Sequence, residues 1–460
     1  MIDVALIKRA LPVETTLAND LVFTDVTTDS RLLTPGTLFV ALRGERFDGH
    51  AFVAKALAAG AAAAVVDHVP EGVDPAKCLV VKNTLTAYQK IASQYRLEKK
   101  GLTVIAITGS NGKTSTKDMI ASVLAEKYRV IKTQANFNNE IGLPKTLLTI
   151  KEDTEMAVVE MGMRGLNQIR PMKHIAYPDA AVITNVGETH LELLGSMENI
   201  AKAKSEILED FTAKNHAILN GDDARIMAMK TGATVTTYGI DHDCDVRGRA
   251  IKAVGLETHF TYTSKVTSKT QDVVLPTLGR HNVMNALAAI AVGELYGVPD
   301  EAIAHGLLHL QMTGMRQEIL HFGDYTVIND AYNASPASMK VGLEALRDVV
   351  KDQGRGRAIG VLADMLELGS FSEQGHREVG QWAAQCGLAH VIAYGPEAKY
   401  ICEEAAKGGV TVHYVADLTE AAAALKQIME PGDVILCKGS HSMAVEKIIP
   451  LVFPEEGGAQ

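Results

Sequence analysis

The segment Val104-Ile105-Ala106-Ile107-Thr108-Gly109-Ser110-Asn111-Gly112-Lys113-Thr114-Ser115 constrains this chain more than any other. A β-branched apolar run feeds a loop bracketed by two glycines, and Gly-Lys-Thr then opens a helix through Asp118, Met119, Ile120 and Val123. That is the strand–loop–helix context of a phosphate-binding loop. Backbone N–H groups of the loop and of the helix N-terminus would face phosphates, Lys113 would add a positive charge, and the Thr114 hydroxyl could hold Mg²⁺. Gly109 and Gly112 suit a backbone that turns tightly and approaches its ligand without a Cβ. Ile107 stands where the common G-x-x-x-x-G-K-[ST] pattern has its first glycine. The expectation is an ATP site.

At 460 residues the chain is long enough for about three domains. With 47% hydrophobic and 22% charged residues it has the composition of a soluble globular protein. Lys and Arg number 45 against 55 Asp and Glu, a net charge of −10 without long runs of one sign. That balance argues against nucleic acid or an anionic membrane as partner. The longest apolar stretch, residues 56–66, is too short to span a bilayer. Met1-Ile2-Asp3-Val4 lacks a basic segment followed by an apolar core, so no secretion signal is expected. Cys78, Cys244, Cys386, Cys402 and Cys437 are scattered without a C-x-x-C pair. They read as free thiols in a reducing cytoplasm.

Three blocks follow from the pattern of apolar runs. In the first, to about residue 84, residues 37–42 predict a strand, 51–59 a helix and 63–66 a second strand. The second opens with a helix over 85–96, passes through the phosphate loop, and predicts strands at 156–160 and 180–185 with helices near 199–209 and 281–294. Strands alternating with helices indicate a mostly parallel sheet covered on both faces. Residues 234–274, rich in Thr and Val, predict added antiparallel strands. The third block, from about Met315, places apolar strands at 358–362, 391–394 and 434–437 between helical segments, a Rossmann-like α/β pattern.

Glu160 ends a predicted strand, where its carboxylate could meet the Mg²⁺ of bound ATP or simply be solvated. His190 follows the next strand, although Mg²⁺ prefers oxygen ligands. By residue type, Lys202 and Lys204 are surface lysines, with Glu206 placed four residues from Lys202. The turn Gly279-Arg280-His281-Asn282 reads as a helix cap.

Taken together these segments resemble the Mur ligase family, ATP-dependent enzymes that add amino acids or dipeptides to cell-wall precursors. The resemblance runs through Thr108 to Thr114, Asn138-Asn139-Glu140-Ile141-Gly142-Leu143-Pro144, Glu160-Met161-Gly162, the His190 segment and Gly279 to Asn285, in family order. Asn329-Asp330-Ala331-Tyr332-Asn333-Ala334-Ser335-Pro336, Ala363-Asp364-Met365-Leu366-Glu367-Leu368-Gly369 and Lys438-Gly439-Ser440 are similar to the members that join D-alanyl-D-alanine to UDP-MurNAc-tripeptide. His441 departs from the arginine that usually follows Lys-Gly-Ser.

The resemblance implies three α/β domains. Residues 1–84 would bind the UDP-precursor, 85–314 would form the central ATP-binding domain with a mostly parallel sheet, and 315–460 a Rossmann-like domain for the incoming dipeptide. It implies ATP contacts at Gly109, Ser110, Asn111, Gly112, Lys113, Thr114, Ser115, Asn282, Arg316 and Asp330. Lys113, Glu160, His190 and a CO₂-carbamylated Lys204 would be catalytic, with Mg²⁺ held by Thr114, Glu160, His190 and Lys204. Substrate contacts would fall at Ser30, Arg31, Asp48, Gly49, His50, Asn138, Asn139, Tyr332 and Asn333. A cytoplasmic monomer without nucleic-acid partner or membrane insertion is expected. The alternatives are a family member adding a single amino acid, or a phosphate-loop switch whose hydrolysis drives a partner.

Overall fold

The structure, a computed structural model, describes residues 1–44, 47–189 and 191–454. Its centre is a nine-stranded sheet built on the strand Thr103–Thr108. Val104, Ile105, Ala106 and Ile107 are all fully buried, as the continuous apolar run requires of a strand covered on both faces. From one edge the order is Lys269–Leu275, Glu257–Ser264, Val246–Val254, Thr234–Gly239, His216–Asn220, Ala180–Ile183, Thr103–Thr108, Met156–Glu160 and Val130–Lys132. Pairing is parallel except where Glu257–Ser264 meets its two neighbours. The expected antiparallel region is therefore smaller than residues 234–274. Thr234–Gly239 joins the sheet parallel to His216–Asn220, extending its buried end through Tyr238.

The helices Lys113–Ala125, Arg280–Leu295 and Asp300–Leu308 cover one face of this sheet around Met119, Val123, Leu287 and Ile303. Thr84–Glu98, Gly142–Leu148, Ile169–Ala176 and Met197–Ser205 cover the other. That second core runs on without a break into the four-stranded parallel sheet Val26–Thr27, Leu38–Val40, Ala63–Val66 and Cys78–Val80. Helix Val4–Ala10 packs on Thr84–Glu98, and Arg9 pairs with Glu98 at 2.7 Å. The helix expected over 51–59 begins as a tighter 3₁₀ turn, Gly49–Phe52, capped by Asp48.

A six-stranded sheet follows, in the order Glu318–Phe322, Tyr325–Asn329, Val434–Lys438, Ala358–Ala363, His390–Tyr394 and Thr411–Val415. Only its first pair is antiparallel. Helices Pro336–Gln353, Ser372–Gln385 and Lys399–Lys407 pack on one face, with Leu418–Ile428 and Ile448–Val452 on the other. The fold is thus α/β with a mostly parallel central sheet and a mixed C-terminal one. Among the described residues no helix is long and apolar enough to cross a membrane. Carboxyl ends of strands from both large sheets, at Thr108, Glu160, Asn329 and Lys438, converge on one cavity.

Candidate active site

Gly112 closes the phosphate loop at φ 77° and sits immediately before the helix Lys113–Ala125, which has no side-chain cap. Its first N–H groups are therefore left for a ligand. A Cβ on Gly112 would lie 2.7 Å from Asn285 Oδ1, and one on Gly109 would lie 1.8 Å from Thr184 Oγ1. Both glycines are imposed by close approach. The loop is held by its neighbours: Ser110 Oγ accepts from the Gly187 N–H at 2.8 Å, and Asn185 Oδ1 accepts from the Asn111 N–H at 2.9 Å.

The loop forms one wall of a cavity of about 1020 Å³. Lys113 Nζ donates to the carbonyls of Gly109 at 2.8 Å and Ser110 at 3.2 Å, so its ammonium lies over the loop. Burial lowers its pKa, Glu160 opposes the shift, and Arg316 adds to it. Thr114 Oγ1 donates to Glu160 Oε2 at 2.7 Å, and Asn138 Nδ2 to Glu160 Oε1 at 2.8 Å. Glu160 is 2% exposed, which removes the solvated strand-end alternative.

Lys204 departs most from what its residue type suggests. It is 2% exposed and lines the cavity, whereas Lys202 is exposed. Among the described residues no carboxylate or carbonyl partners its amine. Burial, and then the charge of Lys113, hold its pKa well below that of an ordinary lysine. The expected support of Lys202 by Glu206 is absent too. Glu206 is buried and accepts from the N–H groups of Asn167, Ile169 and Arg170, capping another helix.

The C-terminal sheet supplies the opposite wall. The Arg316 guanidinium stacks 3.7 Å above the Tyr332 ring. Lys438 Nζ donates to Asp330 Oδ2 at 2.6 Å and to the Asn333 carbonyl at 3.2 Å. Asn282 donates to Gln317 Oε1 at 3.0 Å, and Asn285 Oδ1 accepts from Thr116 at 3.1 Å. The segment 279–282 does open helix Arg280–Leu295, with Gly279 at its N-cap and no side-chain cap, and Asn282 in its first turn also ties the phosphate-loop side of the cavity to residues leading into the C-terminal sheet. His281 beside it is pushed down to about 4 by burial, against Asp330 and together with Lys438, and so is neutral at pH 7.

Asn139 also lines this cavity, and its Oδ1 accepts from the Gly142 N–H at 2.8 Å. The residues expected near a uridine end lie elsewhere. Arg31 makes a two-point pair with Asp29 at 2.9 and 2.6 Å, which drops the Asp29 carboxyl to about 2. Lys145 of the central region adds to that shift. His50 is buried, with Nδ1 2.6 Å from Asp48 Oδ1 and Nε2 accepting from the Asp67 N–H at 3.0 Å. Both its nitrogens hold the loop, and Gly49 is required where a Cβ would lie 2.7 Å from the Leu42 carbonyl. Ser30 and Gly49 belong to the same two loops, and none of these residues lines the central cavity. His190 lies outside the described residues.

Lys438, Gln317, His281 and Asn285 line the cavity although the sequence assigns them no role. The one available signal is Lys-Gly-Ser at a strand end, where a charge after an apolar run is costly unless it is used.

Comparison with known proteins agrees with this geometry. The description "Mur ligase family, catalytic domain" matches residues 22–134, "Mur ligase middle domain" 107–293, and "Mur ligase, glutamate ligase domain" 315–441. The chain is 42% identical over 445 residues to the UDP-N-acetylmuramoyl-tripeptide–D-alanyl-D-alanine ligase of Bacillus subtilis (strain 168), covering 95% of each protein. It is 34% identical to the Escherichia coli (strain K12) ligase of that name, covering 94% of each. The crystal structure of MurF from Acinetobacter baumannii superposes with a TM-score of 0.89 at 30% identity, over 98% of this chain and 99% of that one. MurF from Thermotoga maritima in complex with ADP gives 0.83 at 27%, over 95% and 99%. Matched by three family descriptions and along more than nine-tenths of these relatives, the chain belongs to the Mur ligase family.

Proposed function

We propose that this protein joins D-alanyl-D-alanine to UDP-MurNAc-tripeptide at the expense of ATP, in the cytoplasm and as a monomer. The observation that carries the reading is the cavity itself. It presents a phosphate loop on one wall and a second set of charged groups, Arg316, Asp330 and Lys438, on the other, with room between for more than a nucleotide. Five unpaired cysteines suit a reducing compartment.

The tripeptide carboxylate is a poor electrophile. Its oxygen attacks the γ-phosphorus of ATP, the bond to the β–γ bridging oxygen breaks, and ADP leaves an acyl phosphate. The dipeptide amine then attacks the acyl carbon, the tetrahedral intermediate loses phosphate, and the amine proton is released. Lys113 and the helix N-terminal N–H groups lower the repulsion between the two anions in the first step. Asn282 and Arg316 orient the nucleotide between the walls. Approach of the two walls over the substrates would keep water from the acyl phosphate.

Thr114 Oγ1 and the Glu160 carboxylate, hydrogen-bonded to each other at the cavity wall, are hard oxygen donors, which fits Mg²⁺. The chemistry the ion supplies when bound is neutralisation of charge on the phosphoryl group. Lys204 fits the carbamate assignment, because burial lowers its pKa and so favours the free amine, which can bond its nitrogen to CO₂ and release a proton. The product is a carboxylate-like donor facing the loop. The uridine end would lie along Ser30, Arg31, Asp48, Gly49 and His50, and the peptide along Asn138, Asn139, Tyr332 and Asn333.

The test is phosphate release by purified protein with ATP, UDP-MurNAc-tripeptide and D-alanyl-D-alanine, with the ligated product followed by mass. Release is expected to need both acceptors. Phosphate release indifferent to them would favour a nucleotide switch.

A further inference from the structure

Two fully buried charges take no part in the chemistry above. Lys117 and Asp118 lie four residues after Lys113 and Thr114, one turn further along the same face of the helix. The Asp118 carboxylate accepts from Lys132 Nζ at 2.6 Å and from the backbone N–H of Thr313 at 2.8 Å. Lys117 Nζ stands 3.3 Å from Asp118, donates to the Thr133 carbonyl at 2.8 Å and meets Thr313 Oγ1 at 3.5 Å. Thr133 Oγ1 in turn accepts from the Glu160 N–H at 3.0 Å.

Thr313 lies in the connection between helix Asp300–Leu308 and the first strand of the C-terminal sheet, Glu318–Phe322. Three residues later Arg316 enters the cavity. Met315 and Gln317, on either side of it, have φ of 63° and 51°. Left-handed backbone costs a residue with a Cβ about 1–2 kcal/mol, so this conformation persists only where its surroundings hold it. A buried ion pair contributes little net stability compared with apolar residues of similar volume. Stability alone therefore does not account for charges here, whereas a fixed acceptor for a linker N–H does.

We propose that Asp118 is a positioning residue for phosphoryl transfer: through the Thr313 N–H it ties the linker to the phosphate-binding helix and sets where Arg316 enters the cavity. The inference rests on the ligase reading above. It makes Thr313 the pivot of the connection, with residues 314–317 following the C-terminal sheet and everything before it following the nucleotide.

Asp118→Ala, which removes the acceptor, is expected to lower kcat for ligation roughly 10–100-fold, the cost of misplacing a reacting group by about an ångström. KM for ATP should change far less. Asp118→Asn keeps an oxygen for the Thr313 N–H and should recover most of the loss. In an Arg316→Ala background Asp118→Ala should add no further loss, because it acts through Arg316. Losses that multiply, or a lowered melting temperature with unchanged kcat, would overturn the proposal. Where Asp118→Ala does not fold, Lys117→Met/Asp118→Leu removes the two charges together and takes its place in the same cycle, with the same expected result. Wild-type ligation measured alongside separates failure of the ligase reading from failure of this inference.

Discussion

Lys204 shows how far one residue's setting can reverse its type. As a helix lysine it reads as solvated, yet it is 2% exposed and faces the loop that carries Lys113. Substitution of an exposed lysine usually changes stability by less than about 0.5 kcal/mol, and Lys202→Ala should behave so, with normal activity. Lys204→Ala should lose ligation while keeping its melting temperature, because no ion pair within the described residues is broken. Acetate should restore part of the rate by occupying the carbamate's space; normal activity in Lys204→Ala would sink the assignment. His441 is the second test at this scale. Its ring lies 5.5 Å from Tyr332 at the cavity edge, under the same ring on which Arg316 stacks. A guanidinium there would carry a permanent charge and a planar fork of donors that an imidazole lacks. His441→Arg should tighten binding of an anionic substrate and His441→Ala weaken it slightly. Equal kinetic constants for all three proteins would exclude the side chain from the site.

Among the elements, the loop and helix from Gly109 to Ala125 carry the chemistry and are held by contacts a local pattern does not contain. Gly112→Ala must adopt φ near 77° with a Cβ 2.7 Å from Asn285. The backbone term alone is about 1–2 kcal/mol, and moving Asn285 also breaks its bond to Thr116. The expected outcome is a lowered melting temperature together with weaker ADP binding, both read by thermal shift with and without nucleotide. Lys113→Ala should differ: among the described residues its ammonium donates to loop carbonyls alone, so the fold is kept and phosphate release is lost. The contrast between the two variants separates the loop's shape from its charge. Wild-type turnover in Lys113→Ala would contradict the assignment of the loop.

At the scale of the whole molecule, the cavity exists only where carboxyl ends of two separate sheets face each other. ATP consumption should therefore be coupled to both acceptors. Omitting D-alanyl-D-alanine should leave only slow phosphate release, provided the two walls close over the acyl phosphate and keep water out. Removing divalent cations with a chelator should stop turnover and leave the melting temperature unchanged in the absence of nucleotide, because Thr114 and Glu160 are already hydrogen-bonded to each other. Rapid phosphate release without the dipeptide would mean that the walls do not close over the intermediate.

The strand 63–66, the strand 156–160, the phosphate loop and the helix over 281–294 could be read from local pattern, because each depends on an apolar run or a glycine spacing that its own residues carry. Mostly parallel pairing followed from strands alternating with helices. Partnership across the molecule could not be read that way. Lys204 is buried at the cavity, Glu206 accepts from N–H groups 36 to 39 positions away, Thr234–Gly239 runs parallel to its neighbour strand, and Lys438 meets Asp330 across 108 positions. The sequence by itself determined a phosphate-binding α/β chain of the Mur ligase kind. Which lysines are buried, which asparagine bridges the two walls and how Asp118 reaches the linker were decided only by tertiary structure. Burial and hydrogen-bond geometry depend on which surfaces pack together, and residue type and spacing along the chain do not specify that.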